Sequence, residues 1–279
     1  MAQRTWLITG VNSGFGRIMT EKLLERGDRV AGTVRKLDTM NDLKTKYGDR
    51  LWLANLDMTD APAIKQVVDK AFADLGTIEV IVSNAGYGLF GAAESLSDEQ
   101  VIHQIGTNLV GPIQLVRSAL PYMRKQGGGR IIQLSTYGGQ AALPGGSLCH
   151  ASKWGVEGFF DSIAQELAPF KIGVTIVEPG GARTNFRFSG AQVGRKMEAY
   201  EGTPAGMVHR MLEDTSRLPP GDPAKMVQIM IDSIEQNPAP KRIALGSDAY
   251  GAIHKALTDR LAGLEEQREL ALSTDFPKD

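Results

Sequence analysis

The chain has 279 residues, of which 42% are apolar and 23% charged, and its formal net charge is −1. This composition suits one globular domain with a sizeable core and argues against a nucleic-acid partner or an anionic membrane surface. One cysteine excludes an internal disulfide, no apolar run reaches the 18 residues of a membrane span, and the N-terminus lacks the apolar run of a signal peptide. We therefore expect a cytoplasmic protein.

Short β-branched runs alternate with segments of helical periodicity along the first 180 residues. Such alternation predicts parallel strands joined by right-handed crossovers, which is an α/β fold with a doubly wound parallel sheet, or Rossmann fold. Several strands are apolar on both faces, as a sheet covered by helices on both sides requires. The predicted strands cover 5–10, 29–35, 51–57, 78–86, 130–136 and 173–180, and the predicted helices cover 14–26, 39–47, 60–75, 97–126 and 150–169.

The pattern changes at about residue 185, where a glycine-containing stretch of mixed polarity begins. We interpret 185–218 as an excursion with helical parts on the substrate side of a single domain that covers 1–279, and we call it the lid. Residues 222–279 complete the domain with a helix that starts near Asp222 and Pro223, a last strand at 241–246 and a last helix at 249–268.

The segment "TGVNSGFG" (9–16) joins the first predicted strand to the first helix. Glycine allows a sharp turn and the close approach of a diphosphate, and a helix N-terminus offers free N–H groups and the positive end of its dipole. A glycine triplet alone is weak evidence for a binding loop, but a triplet between a strand and a helix predicts a dinucleotide-binding loop. The loop residues that we assign to the cofactor are Gly10, Asn12, Ser13, Gly14, Phe15 and Gly16.

The loop spacing is T-G-x-x-x-G-x-G, and five further motifs follow it: "LDMTD" (56–60), "NAG" (84–86), "TNLVGP" (107–112), "ASK" (151–153) and "EPGGARTNF" (178–186). In these motifs and in their order the chain resembles the short-chain dehydrogenase/reductase family over about residues 5–185. The resemblance implies that Asp57 contacts the adenine, Asn108 holds the water of a proton relay, Lys153 binds the nicotinamide ribose and Thr184 binds the carboxamide. It also places Asn84, Ala85, Gly86, Pro179 and Gly180 along the cofactor.

The residue that ends the second predicted strand distinguishes the two nicotinamide cofactors. A carboxylate there accepts the ribose hydroxyls of NAD(H) and repels a 2′-phosphate, whereas a basic residue pairs with that phosphate. The segment "GTVRK" (32–36) has no acid and places Arg35 and Lys36 after the strand. Because an arginine fork suits phosphate, the sequence favours NADP(H) over NAD(H).

The family resemblance implies a tyrosine proton donor four residues before the lysine and a hydroxyl about thirteen residues before that tyrosine. Residues i and i+4 share one helix face, so a phenol and an ammonium at this spacing can meet one cofactor. Counting back from Lys153 gives Cys149, and counting back again gives Thr136, with Ser135 as the alternative. The predicted catalytic residues are therefore Asn108, Thr136, Cys149 and Lys153, and no histidine has metal-ligand spacing.

A thiol changes the chemistry of the proton-donor position. The free thiol pKa is about 8.5, and we expect the Lys153 ammonium to lower the pKa of Cys149. With bonds of about 1.5 Å, however, the thiol ends about 4 Å short of a phenol oxygen. Three interpretations stay open: a substituted tyrosine in an otherwise complete reductase, a natural variant that uses a water relay or an acid of the substrate, and an NADP(H)-binding sensor or interaction protein without turnover. Tyr137, in the turn after the strand, is a less favoured donor.

Apolar residues suggest the substrate class and an assembly. With Tyr87, Leu89 and Phe90 and the segment "HASKWGVEGF" (150–159), the chain resembles the family branch that acts on retinoids, steroids and other hydrophobic alcohols. The predicted helices 97–126 and 150–169 carry apolar residues outside one sheet-facing stripe, and in similar proteins these helices form a four-helix contact between subunits. The resemblance therefore implies a homodimer or homotetramer, although packing inside one subunit gives the same pattern. The pocket candidates are Phe186, Phe188, Met207 and Met211 in the lid and Tyr87, Leu89 and Phe90 after the fourth strand, and the assembly candidates are Ile102, Ile105, Val116, Phe159 and Phe160.

Overall fold

The structure is a computed structural model that describes residues 3–214, 216 and 218–276. A parallel sheet has the strand order β3-β2-β1-β4-β6-β7-β9, and a separate parallel pair joins β5 to β8. The doubly wound fold predicted from the sequence is thereby confirmed. In chain order the strands are β1 (Thr5–Thr9), β2 (Arg29–Val34), β3 (Leu51–Asn55), β4 (Val80–Ser83), β5 (Gly88–Phe90), β6 (Gly129–Leu134), β7 (Ile172–Pro179), β8 (Ala191–Val193) and β9 (Arg242–Leu245).

Helices connect the strands and begin where the sequence supplies caps. Asp60 and Asp222 each accept a hydrogen bond from the first turn of the helix that follows, and Ser97 forms a reciprocal capping box with Gln100. A π-helical turn, Gly106–Val110, joins α4 to α5 inside the predicted helix 97–126. The helices are α1 (Gly14–Arg26), α2 (Asn41–Tyr47), α3 (Ala61–Leu75), α4 (Asp98–Ile105), α5 (Gly111–Lys125), α6 (Ser147–Leu167), α7 (Met207–Glu213), α8 (Pro223–Asp232), α9 (Ser247–Glu265) and α10 (Arg268–Leu272).

Each face of the sheet packs on its own helix layer. Because side chains alternate along a strand, Trp6 and Ile8 of β1 face the α1 and α8 side, whereas Leu7 faces the α3, α5 and α6 side. Val116 and Phe160 lie within this second layer and are buried, so they do not form a subunit surface. Of the five assembly candidates, only Ile102 has a largely exposed side chain, with 72% of its surface accessible.

The pair of strands β5 and β8 was missed by the sequence analysis. It joins the chain directly after the "NAG" motif to the first part of the lid. The lid also contains a π-helical turn, Phe186–Gly190, and α7, in agreement with the helical parts that were predicted. Two positions of the predicted lid, 215 and 217, lie outside the described residues. In the part of the chain that is described, no helix combines the length and the apolar character needed to cross a membrane.

We predict that Phe160→Ala lowers the free energy of unfolding by about 3–5 kcal/mol, because it removes a buried ring from the core and leaves a cavity. Urea denaturation monitored by circular dichroism measures the change. Phe188→Ala is the matched control, since the Phe188 side chain is 73% exposed and its loss should change stability by less than about 0.5 kcal/mol. Equal losses in the two variants would contradict the assignment of Phe160 to the core.

Candidate active site

The loop between β1 and α1 is held in shape by Asn84, which follows β4. The Asn84 Nδ2 donates to the carbonyl oxygens of Thr9 (2.8 Å) and Gly10 (3.0 Å), and the Thr9 hydroxyl accepts from the backbone N–H groups of Asn84 and Ala85. A Cβ on Gly16 would lie 2.2 Å from the Gly10 carbonyl oxygen, so only glycine fits there. The ends of two neighbouring strands and the start of α1 are therefore one hydrogen-bonded unit.

The amino end of α1 is suited to bind an anion. Ser13 makes no side-chain capping hydrogen bond, and the first turn contains no acidic residue. Gly10 and Gly14 have φ angles of 73° and 54°, and no atom lies within 4 Å of a Cβ built on Gly14. Because the N–H groups of a helix N-terminus attract phosphate, the loop fits a diphosphate. The exposed Asn12 and the half-buried Phe15 complete the predicted set.

A cation and a carboxylate lie at the ends of β2 and β3. Arg35 and Lys36 are exposed, and within the described part of the chain neither side chain has an ion-pair partner. The backbone of Arg35 is fixed by a hydrogen bond from Asn55 (2.7 Å). Hydrogen bonds from the backbone N–H and hydroxyl of Thr59 lower the pKa of Asp57, which keeps its carboxylate ionised at neutral pH.

The two hydroxyl candidates after β6 have different surroundings. The half-buried Thr136 donates its hydroxyl to the Pro179 carbonyl oxygen (3.0 Å) at the end of β7. Ser135 is buried and donates to the Glu157 carboxylate (2.5 Å). The Ser135 hydroxyl is thus directed into the protein interior, and Thr136 is the hydroxyl beside the turn that follows β7.

Cys149 and Lys153 lie one turn apart on α6, as predicted. The Lys153 ammonium donates to the Leu134 carbonyl oxygen (2.7 Å) at the end of β6, and burial lowers its pKa. The Cys149 side chain is buried, and burial raises its pKa despite the opposing charge of Lys153. The charge of Lys153 acts in the expected direction and lowers the thiol pKa, but removal of the thiolate from water outweighs that attraction, so the pKa is raised overall. Cys149 is therefore a neutral thiol at neutral pH.

Asn108 lies in the π-helical turn between α4 and α5, a distortion that is frequent at functional sites. Its Oδ1 accepts from the backbone N–H of Tyr87 (3.1 Å), and its Nδ2 donates to the Tyr87 carbonyl oxygen (2.7 Å) and to Ser152 Oγ (3.4 Å). A Cβ on Gly86 would lie 3.1 Å from the Asn108 Oδ1. The amide thus fastens the segment after β4 to α6, and its part in a proton relay stays a prediction.

The turn after β7 is fixed by Asp248 at the start of α9. The Gly181 N–H donates to the Asp248 carboxylate (2.7 Å), and a Cβ on Gly180 would lie 2.1 Å from Asp248 Oδ1. Thr184 is half-buried, and its hydroxyl accepts from the Phe186 N–H (3.3 Å). The backbone of the turn therefore lies close to α9, and Gly180 allows this approach because it has no side chain.

The parallel sheet places the predicted residues at one edge, because the carboxyl ends of parallel strands lie on the same side. Three groups result: the phosphate loop with Asn84, Ala85 and Gly86, the pair Arg35 and Asp57, and the set Thr136, Cys149, Lys153, Pro179 and Gly180. Leu89 is fully buried and does not line a pocket, whereas Phe186, Phe188, Met207 and Met211 in the lid are exposed, and their part in a substrate pocket stays a prediction.

Comparison with known proteins agrees with this arrangement. The family model for short chain dehydrogenases matches residues 4–192. The chain belongs to the short-chain dehydrogenase family of oxidoreductases. It is 34% identical over 272 residues to Oxidoreductase BOA17 of Botryotinia fuckeliana (strain B05.10), an alignment that covers 97% of this chain and 99% of that protein.

Solved structures of this family have the same fold. A short-chain dehydrogenase from Streptomyces avermitilis is 34% identical, with a TM-score of 0.91 over 98% of this chain and 99% of that one. A short chain dehydrogenase from Burkholderia cenocepacia J2315, solved in complex with NADP, is 22% identical with a TM-score of 0.74, and it covers 93% of this chain and 95% of its own. At that identity the second similarity concerns the fold alone.

This short-chain dehydrogenase also contains a buried carboxyl cluster that sequence reasoning missed. Glu157 accepts from Ser135 and from Gln140 Nε2, both at 2.5 Å, and Arg242 Nε lies 3.1 Å from Glu178 Oε1 and 3.4 Å from Glu157 Oε2. Burial, and then the charge of Glu157, raise the pKa of Glu178 to about 7. The sequence contained one indication of this cluster: Glu157 follows Lys153 by four residues and therefore lies on the same face of α6.

We predict that this cluster makes the protein less stable as the pH rises from 5 to 8. The Glu178 pKa is raised from 4.5 to about 7, so its stabilising contribution is complete below 4.5 and is lost as pH rises through 7, a change of about 3 kcal/mol. Glu178→Gln should remove most of this dependence. Thermal unfolding across the pH range measures it, with exposed Glu265→Gln as the control. A dependence that is unchanged in Glu178→Gln would contradict the assignment.

Proposed function

We propose that the chain is an NADP(H)-dependent oxidoreductase that reduces an apolar ketone or aldehyde, with activity impaired by Cys149. The observation that carries the proposal is the arrangement at the ends of β6 and β7. Thr136 donates to the Pro179 carbonyl oxygen, and Lys153, one turn after Cys149 on α6, donates to the Leu134 carbonyl oxygen. When bound, the reduced nicotinamide supplies a hydride to the carbonyl carbon. The residues of the chain would bind the cofactor, orient the substrate carbonyl and exchange a proton with its oxygen.

The cofactor would extend along the carboxyl edge of the sheet. The first turn of α1 would bind the diphosphate, and Asp57 would accept a hydrogen bond from the adenine. At the other end, Lys153 would bind the nicotinamide ribose, and Thr184 would bind the carboxamide. Lys153 now donates to the Leu134 carbonyl, and an ammonium has three donors, so binding the ribose does not require the loss of that hydrogen bond.

The preference for NADP(H) is supported by the charges at the end of β2. Arg35 is exposed and without an ion-pair partner among the described residues, and no carboxylate follows β2 before Asp38. A 2′-phosphate would therefore meet a free guanidinium instead of a repelling acid.

The substrate carbonyl would meet Thr136, because Ser135 is directed to Glu157. The Thr136 hydroxyl would exchange its acceptor, the Pro179 carbonyl oxygen, for the substrate oxygen. An apolar substrate is supported by the exposed aromatic side chains of the lid. Phe186 reaches β5, where its Cζ would lie 3.0 Å from a Cβ on Gly88.

The thiol explains why activity should be low. A buried neutral Cys149 can donate a proton but ends about 4 Å short of the place of a phenol oxygen. A proton donor must come within about 3 Å of the substrate oxygen or act through one water. The same observation favours a second candidate function, an NADP(H)-binding protein without turnover.

The proposed assembly is a homodimer or homotetramer of this chain, in the cytoplasm. Its support is the exposed apolar surface of α6 and of the segment from α4 to α5, which includes Ile102, Val110 and Trp154.

We predict that Cys149→Tyr raises the rate of ketone-dependent NADPH oxidation about 10²- to 10⁴-fold, because it restores a positioned general acid four residues before Lys153. Steady-state absorbance assays with a panel of apolar ketones measure the rate. Cys149→Phe is the matched control, since it fills the same space without a hydroxyl and should give no gain. If Cys149→Tyr binds NADPH and oxidises none, the binding protein without turnover is the better proposal.

We predict that Arg35→Ala weakens NADPH binding about 10- to 100-fold, which corresponds to the loss of hydrogen bonds between charged groups. NADH binding should be unchanged, because that cofactor lacks the 2′-phosphate. Fluorescence titration at fixed ionic strength measures both constants, and Arg268→Ala, far along the chain on an exposed helix, is the control. Equal affinity of the unmodified protein for NADH and NADPH would refute the cofactor assignment.

A further inference from the structure

A cavity of about 220 Å³ lies between the lid and the short turn Ala93–Ser95 that follows β5. One wall is the chain directly after β8, and another is α7 with the residues before it. Its lining residues are different from those assigned to the cofactor and to the reaction site. We call it the lid cavity, and its lining includes Ala92, Ser95, Arg195, Lys196, Tyr200 and Arg210.

The described lining of the lid cavity carries more positive than negative charge. Its cations are Arg195, Lys196 and Arg210, and Glu201 supplies a carboxylate. Lys196 is paired with Glu213 (3.1 Å). In the described part of the chain, the exposed Arg195 and Arg210 side chains have neither an ion pair nor a hydrogen bond. Two guanidinium groups are therefore available to an anion, and their fork of N–H donors matches the two oxygens of a carboxylate.

Backbone hydrogen bonds hold Arg195 in the wall of the cavity. Its N–H donates to the Ser95 carbonyl oxygen (3.1 Å), and the N–H of the preceding Gly194 donates to the Phe90 carbonyl oxygen of β5 (2.8 Å). A Cβ on Gly194 would lie 2.5 Å from Ser95 Oγ, so this part of the lid packs closely on the turn after β5. The base of the Arg195 side chain is thus part of the folded protein.

The wall that contains Arg210 is joined to the same turn through Tyr200. The Tyr200 hydroxyl donates to the Glu94 carboxylate (2.7 Å), so that carboxylate already has a partner. A Cβ on Gly206 would lie 2.0 Å from the Tyr200 carbonyl oxygen, and α7 begins directly after this close approach. α7 places the half-buried His209 beside Arg210 in the lining, and a neutral imidazole offers one further N–H donor.

The size and lining of the cavity indicate which ligand it fits. Pockets that enclose a whole drug-sized molecule measure roughly 300–1,000 Å³, so the lid cavity fits one end of such a molecule. Apolar atoms of Ala92, Met197 and Tyr200 lie beside the two guanidinium groups. A carboxylate carries one charge and a phosphate nearly two, so the nearby Glu201 repels a carboxylate less. The lining is therefore suited to the carboxylate end of an apolar molecule.

Contacts at Gly145 connect the lid cavity to the start of α6. A Cβ on Gly145 would lie 3.2 Å from the carbonyl oxygen of Ala205, a lining residue, and 3.1 Å from Val208 Cβ of α7. The Gly145 carbonyl oxygen accepts from the Gly91 N–H (2.8 Å). Gly145 is four residues before Cys149, so their Cα atoms are at most about 14 Å apart. One molecule with an alkyl chain can span this separation.

We propose that the lid cavity binds the carboxylate of an apolar acid, which accepts hydrogen bonds from the Arg195 and Arg210 guanidinium groups. Where this acid is the substrate, the substrate is an apolar keto acid whose carbonyl lies at the start of α6, an assignment that rests on the proposed function. A separate apolar acid would use the same contacts without turnover.

The first test measures binding alone, by isothermal titration calorimetry of the unmodified protein. Octanoate should bind at least about tenfold more tightly than octanamide, which has the same chain without the charge, and rising salt should weaken octanoate only. Arg195→Gln and Arg210→Gln should each weaken octanoate about tenfold, because a charged hydrogen bond is lost, and leave octanamide unchanged. Arg268→Gln, whose arginine pairs with Glu269 on α10, is the matched control.

Two results of this titration would overturn the site. One is equal affinity for octanoate and octanamide, or octanoate binding that neither arginine variant weakens. The other is displacement of octanoate by an equal concentration of inorganic phosphate, since the cavity would then lack the preference for an apolar carboxylate.

The second test decides whether the acid is the substrate. Oxo-octanoates that differ in the position of the ketone are compared with their amides in NADPH oxidation, with the unmodified protein and with Cys149→Tyr. The best keto acid should have a KM about tenfold below that of its amide. Arg210→Gln should raise the KM of the acid about tenfold and leave kcat unchanged, because the contact is remote from the reacting carbonyl. Equal KM values together with tight octanoate binding would assign the cavity to a separate acid.

The outcomes separate this inference from the proposed function. If neutral ketones are reduced while octanoate binds no better than octanamide, the proposed function stands and the carboxylate site is wrong. If the unmodified protein and Cys149→Tyr both bind NADPH without oxidising it, the proposed function fails and the keto-acid assignment fails with it. Octanoate binding that depends on Arg195 and Arg210 would still support the site in that case.

Discussion

The candidate site depends on the hydrogen bonds that Asn84 makes to the carbonyl oxygens of Thr9 and Gly10. These bonds join the ends of β4 and β1 and satisfy backbone oxygens that the sharp turn leaves without partners in the sheet. They also fix the distance between the loop and α1, where Gly16 has no room for a side chain. The N–H groups of the first turn of α1 are thereby left for a phosphate, and the rest of the site is arranged around that position.

One face of α6 carries residues of the candidate site at a spacing of four residues. Cys149 and Lys153 lie beside the ends of β6 and β7, and Glu157 continues the same stripe into the interior. The Glu157 carboxylate holds Ser135 and Gln140, which bracket the turn that presents Thr136 and Tyr137. None of these hydrogen bonds involves the Cys149 side chain, so a substitution at position 149 removes none of them.

The small sheet of β5 and β8 connects the lid to the cofactor side of the site. β5 follows directly after Gly86 and Tyr87, and Asn108 holds the Tyr87 backbone through both of its amide atoms. Because β8 pairs with this fixed strand, the first part of the lid is located by backbone hydrogen bonds. Its aromatic side chains remain exposed, which is consistent with a surface that an apolar substrate would cover.

The sequence by itself determined the parallel α/β fold, the phosphate loop and the position of Cys149, because these follow from local periodicity and from spacings within one element or one turn. Tertiary structure alone decided the direction of the Ser135 hydroxyl, the burial that raises the thiol pKa and the cluster of Glu157, Glu178 and Arg242. The hydrogen bonds of Ser135 and of this cluster join residues of separate elements that are 22 to 85 positions apart along the chain. Strands β5 and β8 were missed for the same reason: three residues carry too little periodicity to predict a strand, and their pairing spans about a hundred residues.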